Sequence, residues 1–462
     1  MTPPPAPDAL APLTPAASTA SSAPRTTQIF YASTLYGAAT LAAAIDSGCF
    51  GAADRRLLLV SNNAAIPETT PALDAMPGFA PLRDRFDGVL SWNDTIAPLH
   101  PGGWSPRTDD IPLWERQLRL LWDLGDDLIE LAVESVQVNP AQALALLFQD
   151  APVTVYADGL MSYGPTRNKI DPLVGTRIRR LLHLDLVPGL KPLLLAEFGA
   201  VPEVVPDAAF RRVLGEVAAS ADGLPACAEP PALLLGQYLS ALEILTPQEE
   251  EELHVRMLRG AVALGHRTVV FKPHPTAPAR WSRLLEREAE ALGAELTVVE
   301  KPLLAETLYE RMRPALVVGC FSTALLTAHA FYGIPVARTG TELLLDRLAP
   351  YQNSNRVPVT LVDALLPDLE GAGSAPADDL PGLVAAVGFA MQPQLRADLR
   401  PAAEAYLTRR LDAHTWRYFK RRRLTVLGLP GALPAQLAFI PRNATVRRVA
   451  RRARTLKRVA LG

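Results

Sequence analysis

Short apolar runs alternate with helix-like segments along most of the chain. Four runs in the first half have the length and composition of buried strands: QIFYA, RRLLLVSNN, DGVLSW and VTVYADG. Helical patterns such as LYGAATLAAAIDSG lie between them, and residues 113–138 are predicted as one long helix. Continuous apolar strands that are separated by helices predict parallel sheets with both faces covered.

The same alternation becomes regular from residue 231 onward. Five more apolar runs are predicted as strands: ALLLGQ, RTVVFK, AELTVVE, PALVVGC and PVART. Periodic helices separate them, and residues 380–423 are helical in pattern as well. A segment rich in Pro, Gly and small residues at 220–231 predicts a boundary between two domains.

We therefore predict an α/β protein with two Rossmann-like doubly wound domains that face each other across a cleft. The first domain is predicted at residues 28–225 and the second at 226–370. A disordered tail is predicted at 1–27, because its Pro, Ala, Ser and Thr content cannot support a packed core. Helices and a basic end are predicted at 371–462.

Composition agrees with two cores and limits the location of the protein. The chain has 462 residues and 49% hydrophobic content, which suits two ordinary domains. Its three cysteines are widely spaced and form no CxxC pair, so a reducing compartment is expected. The N-terminus lacks the pattern of a signal peptide, and no run has the ~18 apolar residues of a spanning helix. We expect a cytoplasmic protein.

Charge is distributed very unevenly along the chain. All 48 acidic residues lie at or before Asp412, whereas 13 of the 46 Lys and Arg lie after it. This basic end predicts contact with an anionic membrane or a polyanionic glycan through residues 417–458, at the inner face of the cell membrane. The alternative interpretation is an Arg-rich helix whose charges are only solvated. No nucleic-acid partner is expected.

A histidine between two prolines follows one predicted strand. In TVVFKPHP, Lys272 ends the apolar run, and Pro273 and Pro275 restrict the backbone on either side of His274. A histidine held in this way can donate a proton to a phosphate oxygen, and Lys272 can add positive charge. The other interpretation, which this motif alone leaves open, is a rigid turn with a solvated histidine.

Two further strand ends in the second half carry polar residues. GCFST places Gly319 at a strand end and then Ser322 and Thr323 at the start of a helix, where free N–H groups can bind an anion. Glu300 follows another strand and can accept hydrogen bonds from ribose hydroxyls. Plain helix capping and an ordinary surface acid are the alternatives for these residues.

The first half has comparable positions. Asp158 and Gly159 follow the strand VTVYA, where glycine allows a sharp turn that can direct a carboxylate into the cleft, although Asp-Gly is also a common turn. Ser33, Thr34 and Asn62 follow two other strands and are suited to hydrogen-bond a sugar. No GxGxxG or GxxxxGK[ST] motif and no metal-ligand spacing is present, so neither a metal nor a cofactor is expected.

Three of these elements occur in the same order in a known family. The acid before glycine in YADG, followed by KPHP and then GCFST, resembles the bacterial sialyltransferases, and most of all their α-2,8-polysialyltransferase-like group. YASTLYG supports the resemblance, which covers residues 28–365. The resemblance implies a GT-B type glycosyltransferase that transfers sialic acid from CMP-sialic acid to a glycan or glycolipid acceptor, with α-2,8 polysialylation as one such activity.

The resemblance also implies roles for single residues. Asp158 would be the general base on the acceptor hydroxyl, and His274 would protonate or hydrogen-bond the departing CMP phosphate. The implied donor-binding residues are Lys272, Pro275, Glu300, Ser322, Thr323 and Gly319. The chain departs from the family pattern at Ala157, where the family has a second acid before the glycine, and in having Ser-Thr in place of a serine pair.

Two other functions remain compatible with the sequence. Enzymes that transfer glycerol phosphate from CDP-glycerol share His-Pro and serine motifs in similar folds. A catalytically silent protein that binds a glycan through its basic end is the second alternative. Loss of CMP release in Asp158 or His274 variants distinguishes an enzyme from such a binding protein.

Overall fold

The protein folds around two separate parallel β-sheets. The computed structural model describes residues 24–157, 159–225, 227, 229–274, 277, 280–371 and 378–432. The strands are β1 (Thr26–Ala32), β2 (Arg55–Val60), β3 (Gly88–Ser91), β4 (Leu128–Glu134), β5 (Val153–Ala157), β6 (Ile178–His183), β7 (Val201–Val204), β8 (Ala232–Leu235), β9 (Thr268–Lys272), β10 (Glu295–Val298), β11 (Leu316–Gly319) and β12 (Val336–Arg338).

Helices connect and cover these strands. They are α1 (Leu35–Asp46), α2 (Trp92–Ile96), α3 (Ile111–Leu121), α4 (Ala141–Leu147), α5 (Pro172–Gly175), α6 (Asp207–Ala219), α7 (Pro247–Ala263), α8 (Arg280–Ala291), α9 (Ala305–Met312), α10 (Thr323–Tyr332), α11 (Thr341–Arg347), α12 (Arg356–Leu365), α13 (Leu380–Met391), α14 (Arg400–Arg410) and α15 (Arg421–Leu427). The predicted α/β class with two doubly wound sheets is confirmed.

The order of the strands in each sheet indicates where a ligand binds. The first sheet has the order β3-β2-β1-β4-β5-β6-β7 and the second has the order β10-β9-β8-β11-β12, with parallel pairing throughout. The direction in which the strand numbers rise reverses once in each sheet. The reversal lies between β1 and β4 in the first sheet and between β8 and β11 in the second. Ligands of such sheets bind beyond the carboxyl ends of the strands at this switch point. We therefore expect the ligand to bind beyond the ends of β1 and β4 in the first sheet and of β8 and β11 in the second.

Residues that alternate along the strands build layers on both faces of the first sheet. Phe30 and Leu58 pack on one face, and their neighbours Ile29 and Leu57 pack on the other. The core on the Phe30 face continues into the second sheet, because α6 packs against α1 on one side and against α9 on the other. The two halves are thus joined by a continuous apolar layer beneath the cleft.

The predicted long helix at residues 113–138 is wrong. Helix α3 ends at Leu121, and β4 pairs with β1 and β5 in the middle of the sheet. Asp123 and Gly125 between them adopt positive φ angles of 50° and 49°, which a helix cannot include. The strands β6 and β7 and the helix α6 were also missed by the pattern.

The last helices return to the first half of the molecule. The side-chain amide of Gln392 donates to the carbonyl of Arg167 at 2.9 Å, and Arg396 Nη1 donates to the carbonyl of Leu193 at 3.1 Å. Helix α12 also contacts the turn at Leu160–Tyr163. These contacts hold the two halves together on the side away from the β3 and β10 edges of the sheets.

The start of the predicted basic contact surface is used within the fold. Arg417 pairs with Glu342 and Asp363, and Lys420 pairs with Asp346 at 2.7 Å. Arg423 donates to the carbonyl of Ala390. The rest of that surface, residues 433–458, lies outside the described residues, so membrane or glycan contact by residues 417–458 stays a prediction. Residues 1–23 of the tail predicted at 1–27 also lie outside the described residues, whereas Thr26 and Thr27 belong to β1. Within the described part of the chain, no helix has the length and apolar character to cross a membrane.

Candidate active site

A cleft of about 610 Å³ lies between the carboxyl ends of the two sheets. Ser33 and Thr34, which follow β1, line it from the first half. From the second half it is lined by the ends of β8, β9 and β11, including Lys272, His274 and Ser322. The structure thus brings together in one cavity residues that the sequence placed on separate strand ends.

Three helices begin at this cleft. Thr34 caps α1 by accepting from the N–H of Gly37 at 2.9 Å, and Ser322 caps α10 by accepting from the N–H of Ala324 at 3.2 Å. The first residues of α9 line the same cavity. Helix N-termini carry partial positive charge and free N–H groups. Their convergence favours an anionic ligand such as a phosphate.

Lys272 and His274 lie at the wall of the cleft, where Lys272 adds positive charge. Lys272 is half-buried, and desolvation lowers its pKa, an effect that the nearby Glu306 partly opposes. His274 keeps much of its surface exposed, and its ring lies 6.1 Å from that of Tyr238. Partial burial against the cleft wall lowers the pKa of His274, and the charge of Lys272 lowers it further. An arriving phosphate would favour the protonated ring.

Glu306 is a site residue that the sequence analysis missed. It lies in the first turn of α9, lines the cleft and is only 2% exposed. Burial raises the pKa of its carboxyl to about 7, although its own backbone N–H, the charge of Lys272 and the hydroxyl of Thr327 all favour the charged form. Its Oε1 has no hydrogen-bond partner among the described residues. Glu306 thus offers a buried acceptor to a ligand.

We expect Glu306→Gln to stabilise the protein more at pH 8 than at pH 5. With a native pKa near 7 against an ordinary value of 4.5, native Glu306 binds more protons than the unfolded chain between these values. The unfolding free energy therefore falls as pH rises through this window, by an amount of order 1–3 kcal/mol. Urea denaturation at several pH values measures it.

Glu300→Gln is the matched control, because Glu300 is exposed and lies outside the cleft lining. Its replacement is expected to leave the pH dependence of stability unchanged. The burial of the Glu306 carboxylate would be contradicted if the pH dependence of the unfolding free energy changed equally in both variants, or did not change in Glu306→Gln.

The YADG and GCFST motifs meet across the cleft. The N–H of Leu160 donates to the hydroxyl oxygen of Thr323 at 3.4 Å, and a Cβ on Gly159 would lie 2.6 Å from that oxygen. The hydroxyl proton of Thr323 stays available as a donor, because the contact uses only an oxygen lone pair. Asp158 lies outside the described residues, and its neighbour Ala157 ends β5.

We expect Gly159→Ala to loosen this contact between the halves. The added methyl must displace Thr323 or the Gly159 turn, which costs about 1–3 kcal/mol in a packed contact. Turnover is expected to fall at least about tenfold, since groups on opposite sides of the cleft move apart. Gly215→Ala in α6 is the control, because a Cβ there meets nothing within 4 Å. Equal behaviour of the two variants in thermal unfolding and turnover would argue against a functional contact.

The other predicted residues have different surroundings. Ser33 lines the cleft, but its hydroxyl and N–H both donate to Glu134 at the end of β4, at 2.8 and 3.0 Å. Asn62 lies outside this cleft, and its amide donates to Thr70 Oγ1 at 2.8 Å. It therefore holds the loop that follows β2.

Two predicted donor-binding residues do not line the cleft. Gly319 ends β11 beneath Leu325, whose side chain would lie 3.3 Å from an added Cβ. Glu300 is exposed two residues after β10 ends, so Glu306 rather than Glu300 supplies the carboxylate of the cleft. Pro275 lies outside the described residues.

A buried carboxylate fixes the loop that follows β8. Both oxygens of Glu250, which is fully buried, accept hydrogen bonds at 2.7 Å, one from the N–H of Leu239 and one from the N–H of Ser240. In the same loop, Gln237 Oε1 accepts from the N–H of Phe321 at 3.0 Å. These bonds set the distance between the ends of β8 and β11, which form one wall of the cleft.

Three solved structures serve as examples of those that match this chain. The GT-B domain of a sialyltransferase from Photobacterium damselae is 12% identical, with 73% of this chain and 96% of that chain covered at a TM-score of 0.39. MurG of Acinetobacter baumannii is 12% identical, with 82% and 95% covered at 0.39. UGT2 of Phytolacca americana is 13% identical, with 85% and 98% covered at 0.40. Because these three TM-scores are below 0.5, the GT-B arrangement rests on the two facing sheets of this chain itself.

Sequence comparison identifies the family. No curated protein sequence matches the chain. The family model described as alpha-2,8-polysialyltransferase (POLYST) matches residues 28–341, which is well over half of the chain and includes both sheets and the cleft between them. The protein therefore belongs to the alpha-2,8-polysialyltransferase family and is a glycosyltransferase.

Proposed function

We propose that the protein transfers sialic acid, or a related nonulosonic acid, from a CMP-activated donor to a glycan hydroxyl, with inversion and without a metal. The observation that carries the proposal is the cleft at both switch points, where His274, Lys272 and three helix N-termini surround one cavity. This arrangement suits a ligand with a single phosphate between a sugar and a nucleoside.

In this proposal the second half binds the donor phosphate. The hydroxyl of Ser322 and the N–H of Thr323 at the start of α10 hydrogen-bond it, and the hydroxyl of Thr323 donates to it. Lys272 stabilises the negative charge from the end of β9, which is separated from β11 by β8 alone. Because these groups are held by the fold before the donor arrives, they stabilise the charge that develops on the leaving phosphate with little rearrangement.

The ribose of the donor is assigned to Glu306. Its buried carboxylate lies in the same cavity as Lys272, and its Oε1 is without a partner among the described residues. Ribose hydroxyls are donors that would satisfy this oxygen. A ribose hydroxyl would therefore satisfy a buried oxygen to which no described residue donates a hydrogen bond.

The reaction is a single displacement at the anomeric carbon. Asp158 takes the proton from the acceptor hydroxyl, and the acceptor oxygen forms a bond to the anomeric carbon as the bond from that carbon to the phosphate oxygen breaks. The electron pair goes to the CMP phosphate, to which His274 donates a hydrogen bond or its proton. Attack from the face opposite the leaving group inverts the configuration.

A donor comparison tests the proposal. Purified protein with an acceptor and EDTA is supplied with CMP-sialic acid or with CDP-glycerol, and CMP release is followed. We expect CMP only from CMP-sialic acid, and undiminished release when EDTA is present. Release from CDP-glycerol alone would assign the chain to glycerol phosphate transfer, and dependence on an added divalent ion would contradict the metal-free mechanism.

A further inference from the structure

One face of helix α10 contacts the first half of the molecule along its length. This contact face consists of Thr323, Thr327 and Phe331, whose spacing of four residues places them on the same side of the helix. Thr323 accepts from the N–H of Leu160, and the helix begins at the proposed site of the donor phosphate. Contacts along this face therefore determine how the donor site is held against the first half.

The first half supplies two aromatic rings to the contact face. The hydroxyl of Tyr36 in α1 lies 3.0 Å from the hydroxyl of Thr327. The Tyr36 ring packs edge-on against Phe210 of α6, with ring centroids 5.2 Å apart, and Phe210 packs against Phe331 with centroids 5.9 Å apart. Rings packed in this way have little freedom, so the Tyr36 hydroxyl is held where it meets Thr327.

Thr327 links Tyr36 to Glu306. Burial raises the pKa of the Glu306 carboxyl to about 7, and a hydrogen bond from the hydroxyl of the fully buried Thr327 acts in the opposite direction. A hydroxyl has a single proton, so a Thr327 that donates to Glu306 accepts from Tyr36 at its oxygen. The carbonyl of Thr323, at 3.3 Å, is another acceptor for that proton, but a carboxylate is a stronger one. A chain of hydrogen bonds thus runs from the first half to the carboxylate of the donor cleft.

We propose that Tyr36 is a positioning residue for donor binding, which acts through Thr327 to fix the Glu306 carboxylate that receives the ribose hydroxyls. This inference rests on the proposed function, in which Glu306 binds the ribose. The hydrogen bond from Thr327 leaves Glu306 Oε1 without a partner among the described residues, and both Tyr36 and Glu306 line the cleft. The donor site of the second half is therefore complete only when α1 of the first half is in place.

The affinities for two nucleotides test this inference. Cytidine monophosphate and its 2′,3′-dideoxy analogue, which lacks both ribose hydroxyls, are titrated into the purified protein by isothermal titration calorimetry. The wild type is expected to bind cytidine monophosphate at least about tenfold more tightly, because the analogue leaves a buried oxygen of Glu306 without a donor. Tyr36→Phe is expected to reduce this preference at least about threefold, while the affinity for the analogue changes less than about twofold.

Variants of Thr327 show whether Tyr36 acts through this residue. Thr327→Val is expected to reduce the nucleotide preference as Tyr36→Phe does, and Thr327→Ser, which keeps a hydroxyl, is expected to retain it. The double variant Tyr36→Phe, Thr327→Val is expected to resemble Thr327→Val alone, because both changes break the same chain of hydrogen bonds. Independent losses that add in the double variant would show that Tyr36 contacts the donor directly, and would overturn the inference.

Tyr351→Phe is the matched control. The hydroxyl of the buried Tyr351 donates to the carbonyl of Tyr418 at 2.9 Å, and Tyr351 lines none of the described cavities. This variant loses the same hydroxyl group away from the donor cleft, so it is expected to keep the nucleotide preference even if its melting temperature falls. Thermal unfolding of all the variants confirms that they are folded.

The outcomes separate this inference from the proposed function. An unchanged preference in Tyr36→Phe, or an equal loss of affinity for both nucleotides in that variant, would overturn the inference while the assignment of the ribose to Glu306 stands. Equal affinity of the wild type for the two nucleotides, or binding of neither, would overturn that assignment, and the inference with it.

Discussion

His274→Ala is expected to lower kcat for CMP release by about 10²–10⁴-fold, the range for loss of a positioned acid. The ring lies in the donor cleft near Lys272, where it can meet the departing phosphate. The KM for the donor is expected to change less than kcat, because Lys272 and the helix N-termini remain. Steady-state kinetics with CMP-sialic acid measures both.

His266→Ala is the matched control for this variant. His266 precedes β9, at the opposite end of the strand from Lys272, and lines no described cavity. Wild-type turnover is expected for it. Near-normal turnover of His274→Ala would remove His274 from the mechanism and leave the motif as a rigid turn.

Asp158→Asn is expected to reduce turnover by a similar factor, about 10²–10⁴-fold, through loss of the base that activates the acceptor. Donor binding is expected to persist, since the donor is assigned to the second half. The acidic limb of the pH profile of kcat/KM is expected to disappear, because it reports ionisation of the base in the free enzyme.

Asp150→Asn serves as its control, because Asp150 is exposed and precedes β5, at the other end of the strand from Ala157. It is expected to retain activity and the wild-type pH profile. A wild-type pH profile in Asp158→Asn would show that another residue is the base. Glu134, at the end of the adjacent strand β4, would then be the first residue to test.

Much of the fold was predictable because its strands are short apolar runs between periodic helices. The central strand β4 was missed because LIELAVE combines Leu, Ala and Glu, which favour helices. Glu130 is accommodated in that strand by Gln28 of β1, whose side-chain amide donates to it at 2.9 Å. Gln28 becomes a neighbour of Glu130 only when β1 and β4 pair, so the local sequence pattern could not identify it.

The site was predictable as far as it lies at strand ends. Positions that directly follow apolar runs come to lie at one edge of a parallel sheet. The site residues of this kind are Lys272, His274, Ser322, Thr323 and Ser33. Glu306 was not predictable, because its burial depends on how α9 packs beside α6 and α10. The sequence signal was a single acid in the first turn of a helix, which is usually a surface feature.

The anomeric configuration of the product tests the central claim most directly. Purified protein and CMP-sialic acid are incubated with EDTA and a panel of neutral and sialylated glycan acceptors, and the sialylated product is examined by nuclear magnetic resonance. The mechanism predicts one new linkage with the configuration opposite to that of the donor, formed together with an equal amount of CMP. Retention of the donor configuration, or no sialylated product while CMP-sialic acid stays intact, would contradict it.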